Sequence, residues 1–123
     1  LVLHLCGNVR QWAISAIGGA EDIRQRDAEF AAREGVSRED LRQMLSHTVR
    51  EATEVLNAIQ AERLTERLTV QKYTVTVLEA VYAMPEHFAQ HTGQIIFATK
   101  LLTGEDLGYY AHLSKPAHSE RTP

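Results

Sequence analysis

At 123 residues the chain has the length of one domain, and 44% hydrophobic with 24% charged content is that of a globular protein able to bury a modest core. A net charge of −3, with acids and bases interspersed and no basic stripe, argues against a nucleic-acid partner. No apolar run reaches the roughly 18–20 residues of a membrane span, and a lone cysteine, Cys6, excludes an internal disulfide and fits a reducing compartment, the cytoplasm.

The chain opens at Leu1-Val2-Leu3-His4-Leu5, already inside an apolar periodic run. No capping residue or initiator Met comes first, so it reads as a fragment lacking a preceding segment. Leu1 to about Ile17 is expected to be a mostly buried helix, stopped by Gly18-Gly19. Residues 20–35 are polar, with Arg24, Arg26, Asp27, Glu29 and Arg33, and read as a long connection with a helical turn near Ala28–Arg33. Ser37 is a candidate N-cap, and Glu39 and Asp40 suit the positive end of a helix. From there Leu41, Met44, Leu45, Thr48, Val49, Ala52, Val55, Leu56 and Ile59 recur at three and four, predicting an amphipathic helix to about Glu62. Leu64 to Tyr73 fits either extended structure or a loop. Thr74 or Thr76 then starts the last long helix, ending at Thr103-Gly104, with Pro85 expected to kink it or to part it into two helices. Residues 1–113 make up the domain, Asp106–Tyr110 could pack back on it, and 114–123 read as a disordered tail.

The stretch with chemical content is Glu86-His87-Phe88-Ala89-Gln90-His91. Histidines four apart on a helix leave the same face, roughly 5–6 Å apart at Cβ, close enough for one metal ion. Val81, Met84, Phe88, Ile95, Ala98 and Leu102 share their stripe, where a charged imidazolium is costly and a neutral one needs partners for its nitrogens. Spacing alone leaves two readings open: a metal site, or imidazoles hydrogen-bonded to neighbours such as Gln94. His4, in the buried first helix near Asn8 and Gln11, is the natural third ligand. Three protein ligands with an open position make the pattern of a catalytic metal site.

Other candidates read more plainly. His47 is a surface residue, and His112 and His118 face solvent in the tail. Cys6 is a small buried apolar residue rather than a ligand. Asn8 and Arg10 could bind substrate, with Arg10 equally able to pair with an acid of the connection. Glu79 and Glu86 are possible bases but first of all helix-surface acids. No nucleophile elbow, phosphate loop or dinucleotide fingerprint is present, and no catalytic residue is assigned.

The segments Leu3-His4-Leu5-Cys6-Gly7-Asn8-Val9-Arg10-Gln11-Trp12, Gly18-Gly19 with Asp22 and Arg26, Glu86-His87-Phe88-Ala89-Gln90-His91-Thr92-Gly93-Gln94-Ile95, and Asp106-Leu107-Gly108-Tyr109-Tyr110 together resemble the DinB-like (DinB/YfiT) proteins, most closely an uncharacterised bacterial subgroup. The resemblance implies an all-α, up-and-down four-helix bundle whose first helix is the part missing here, and it favours a loop over residues 64–73. It implies His4, His87 and His91 as ligands of one divalent metal, zinc or nickel above others. It further implies a homodimer, and an activity of the thiol-dependent S-transferase or hydrolase type, with a low-molecular-weight thiol and an electrophilic small molecule as reactants. Against the pattern, Pro85 stands where an ordinary helix former is expected. The rival expectation is a non-enzymatic bundle in which the site serves dimerisation or sensing.

Overall fold

The computed structural model of the protein describes residues 1–114; the expected disordered tail and His118 lie outside them, Ser114 excepted. It is mostly helical, at 68%, with a two-stranded sheet, so the all-α expectation holds in the main. The chain forms two compact units, divided between Thr92 and Gly93. Among the described residues no helix is long and apolar enough to cross a membrane.

The first helix, α1, is α-helical over Val2–Val9 and continues as a π-helix over Arg10–Ile17, a widening that the sequence pattern does not announce. Its end is set by the two glycines. Gly19 takes φ +81, a left-handed conformation that a side chain would disfavour. Its N–H bonds the Ser15 carbonyl at 2.8 Å, and the Ala20 N–H reaches the Ile14 carbonyl at 3.1 Å. Arg63 donates to the Ile17 carbonyl at 3.2 Å, so one of the helix-end acceptors is satisfied from a distant loop.

A short helix, α2 (Arg26–Ala31), sits inside the polar connection, close to the expected turn. The next helix, α3, spans Arg38–Asn57. Ser37 caps it as expected, its Oγ accepting from the Asp40 N–H at 3.1 Å. It stops five residues short of Glu62, and a 3₁₀ turn over Ala61–Thr65 follows.

Residues 64–73 do not form the loop favoured by the resemblance. Strands β1 (Arg67–Val70) and β2 (Tyr73–Thr76) pair antiparallel, Arg67 opposite Thr76 and Val70 opposite Tyr73. The two-residue turn places Gln71 at φ 50 and Lys72 at φ 71, a left-handed pair for which Asn-Gly is the usual signal. A lysine in that region is strained. Lys72→Gly is therefore expected to raise unfolding stability by roughly 0.5–1 kcal/mol after the entropic cost of glycine, read from a urea melt; a loss of stability would mean that Lys72 makes a contact worth more than its strain.

The last helix, α4, spans Val77–Thr103 without a break, so Pro85 does not divide it into two helices. Its start is a capping box: Thr76 Oγ1 accepts from the Glu79 N–H at 3.2 Å, and Glu79 Oε2 accepts from the Thr76 N–H at 2.7 Å.

The core of the first unit is formed by Val9, Ala13, Ile14 and Ile17 of α1, Ala52 of α3, and Val77, Ala80 and Met84 of α4, with Leu68 and Val75 of the hairpin packed against it. The predicted stripe on α3 is shallower than expected. Of its apolar members only Ala52 is fully buried, beside Thr48, while Met44 and Val49 are each 41% exposed. On α4, Met84 is buried and Phe88 half-buried, whereas Leu102 is exposed. Tyr109 and Tyr110 are likewise exposed.

Candidate metal centre

His4 lies in the first turn of α1, and His87 and His91 lie one turn apart on α4; both helices contribute to the shared core, which brings their side chains together. His4 Nε2 is 3.1 Å from His87 Nε2. The three ring centroids are 4.5, 4.9 and 5.2 Å apart, with each pair of rings edge-to-face. One nitrogen from each ring lies within 4.8 Å of the others. Two imidazole nitrogens bound tetrahedrally at about 2.0–2.1 Å from a zinc ion lie about 3.4 Å apart. The His4–His87 separation is thus near that of a chelating pair, and the donor set suits a borderline divalent ion.

The third wall comes from the polar connection. Glu29 of α2 places Oε2 3.3 Å from His4 Nδ1. Arg24 grips the same carboxylate with two bonds, Nε to Oε1 at 2.8 Å and Nη2 to Oε2 at 2.7 Å, and its Nη2 stands 3.2 Å from His4 Nδ1. Its remaining arm donates to Gln11 Oε1 at 2.9 Å. The Arg24 side chain is only 3% exposed and that of Glu29 11%, so this is a buried, doubly hydrogen-bonded ion pair. Phe30 lies 5.0 Å from the His4 ring, with the Arg26 guanidinium 4.7 Å above its own.

These surroundings set the protonation of the cluster. Burial comes first in lowering the pKa of His4 below the ordinary 6.5, followed by the charges of Arg24 and His91, against a smaller upward pull from Glu29. His87 is lowered by burial, then by His91 and Arg24. Both rings are therefore neutral at pH 7, the form that binds metal. The unfolded chain takes up these protons near pH 6.5 and the folded chain only below it. In that window the unfolded state binds more protons, so stability falls as pH falls. In excess chelator, the urea midpoint is expected to drop between pH 7.5 and 5.5. A flat or rising midpoint would show that the imidazoles are not desolvated.

The remaining candidates find other places. Cys6 is buried, and burial pushes its thiol pKa up, as suits a packed apolar residue. His47 is 64% exposed beside Glu51, and His112 is exposed. Asn8 is buried. Arg10 pairs with Glu51 of α3 at 3.0 Å, not with an acid of the connection. Glu79 is used in the cap of α4, and Glu86 is exposed. Of the expected neighbours of His4, Gln11 joins it through Arg24, while Glu29, Arg24 and Phe30 stand beside the ring itself. The only trace of them in sequence is an Arg and a Glu five apart beside a large aromatic in an otherwise polar connection.

Helices α1 and α4, with the connection between α1 and α3, thus define a helical protein with a half-buried three-histidine cluster backed by a buried Arg–Glu pair. The chain belongs to the family of proteins of unknown function DUF1572, whose family model matches residues 1–117. No curated protein and no solved structure matches it.

Proposed function

We propose that this protein is a DinB-like metal-binding helical bundle that holds one divalent ion, zinc or nickel, through His4, His87 and His91. The observation that carries this reading is the convergence of three imidazole nitrogens within 4.8 Å, two of them from rings whose surroundings keep them neutral. The chemistry that such an ion supplies is Lewis-acid activation of a water or thiol nucleophile. This makes the reading a metal-dependent enzyme of the thiol-dependent S-transferase or hydrolase type, acting on an electrophilic small molecule with a low-molecular-weight thiol. The chain's own residues hold the site together from two helices and, through Phe30 and the buried Arg24–Glu29 pair, shield one side of it from water. A homodimer fits the apolar groove of about 420 Å³ lined by Val9, Val49, Leu56, Val81, Met84 and Phe88, and the cytoplasm suits the free Cys6.

Metal analysis of the purified protein, followed by zinc and nickel titration, tests this. About one equivalent per chain is expected. Absence of binding to either ion would leave the histidines as hydrogen-bonded core residues. A thermal melt with chelator then separates an open centre, whose loss moves the midpoint little, from a centre whose removal unfolds the bundle, the non-enzymatic alternative.

A further inference from the structure

Glu29 lies on a six-residue helix in a segment with no regular pattern, yet its side chain is only 11% exposed. We infer that Glu29 is a positioning residue for the histidine cluster: its carboxylate accepts the Nδ1–H of His4 and so leaves the His4 Nε2 lone pair directed at His87 and His91. As a statement about metal binding, this rests on the function proposed above.

The two nitrogens of His4 face different groups. Nε2 meets His87 Nε2 at 3.1 Å, and Nδ1 meets Glu29 Oε2 at 3.3 Å. A neutral imidazole carries one proton, and the group beside each nitrogen decides where it stays. An ionised carboxylate only accepts, so Glu29 favours the proton on Nδ1. Arg24 Nη2, at 3.2 Å from Nδ1, would favour the opposite tautomer. Its shorter bonds, 2.7 and 2.8 Å, go to Glu29. Arg24 therefore serves mainly to hold the carboxylate in place beside His4.

Gly7 points the same way. It sits three residues after His4, on the same side of α1. A methyl group built there would overlap the Glu29 carboxylate and come within 3.1 Å of Arg24 Nε. Glycine inside a helix is destabilising relative to alanine. Here its missing side chain is what lets an acid from α2 lie against α1 beside the histidine.

Nitrogen-15 NMR of histidine-labelled, zinc-free protein reads the tautomer directly, and competition with a chromogenic chelator reads zinc affinity. We expect His4 to carry its proton on Nδ1. Loss of an outer partner of a ligating histidine typically costs 10–100-fold in metal affinity, and Glu29→Ala and Gly7→Ala are expected to fall in that range although neither residue is a ligand. Glu29→Gln keeps an acceptor and should lie closer to the wild type. An Nε2–H tautomer in the wild type, or zinc affinity unchanged within about twofold in Glu29→Ala, overturns the inference; a lowered melting temperature alone, with tautomer and affinity intact, would make Glu29 merely structural and overturn it too. If Gly7→Ala fails to fold, the wild-type tautomer and Glu29→Ala still decide. If the wild type binds neither zinc nor nickel, the metal reading fails by itself, and the tautomer of His4 settles the role of Glu29 independently.

Discussion

Replacing His87 by alanine is expected to weaken zinc binding by more than the roughly 10–100-fold that loss of an outer partner costs, because it removes one of three donors outright. His87 is the residue whose Nε2 directly faces that of His4, so its loss leaves His91 as the one α4 imidazole beside His4. The same substitution at His47, 64% exposed and bound to Arg50 and Glu51 of its own helix, should leave affinity unchanged. Isothermal titration at pH 7.5 is the direct measurement, with circular dichroism to show that the helices persist. Affinity in His87→Ala within a factor of ten of the wild type would mean that the cluster is not where zinc binds.

The largest effect on stability is expected at Ile17. It is 2% exposed at the end of the π-helical part of α1 and belongs to the core shared with α3 and α4. Truncation of a buried isoleucine to alanine costs about 2–5 kcal/mol, from the lost burial of the removed methylenes and the cavity left behind. For a unit of this size, 3 kcal/mol corresponds to roughly 12–24 °C in melting temperature. Met44, which the sequence pattern places in the core as readily as Ile17, is 41% exposed; Met44→Ala should cost less than about 1 kcal/mol. Thermal melts of the two variants in parallel check the ordering. Equal losses would mean that the apolar face of α3 is more deeply covered than the structure has it.

For metal content, the same contrast between buried and exposed positions separates a site that organises the fold from one added to it. His4 and His87 are 83 residues apart in sequence, so an ion between them would tie the start of the chain to its last long helix. The energy of ligation would then add to the stability of the folded state in proportion to the free metal present.

The elements whose signals are local were legible in the order of residues alone. The three long helices follow from apolar spacing at three and four, and their limits from Ser37, Gly19 and the Thr103-Gly104 stop, because caps and left-handed glycines act within one turn. The helical spacing of His87 and His91 was equally legible, since residues four apart on a helix must share a face. Bringing His4 to them needed the fold; its place in a buried helix made it the natural third ligand, and the family resemblance implied the same. Three further features were decided by tertiary structure. The hairpin closes through Gln71 and Lys72, whose left-handed backbone no local rule assigns to those residues; the pairing of Leu68 with Val75 and their packing on the core compensate that strain. The choice of Glu51 as partner for Arg10 depends on where α3 lies. Above all, the surroundings of His4 were not legible, because Arg24, Glu29 and Phe30 come from a segment whose own pattern specifies little. They are placed by the gap at Gly7 and by the need of a buried guanidinium and a buried carboxylate for each other, conditions that exist only once the helices have packed.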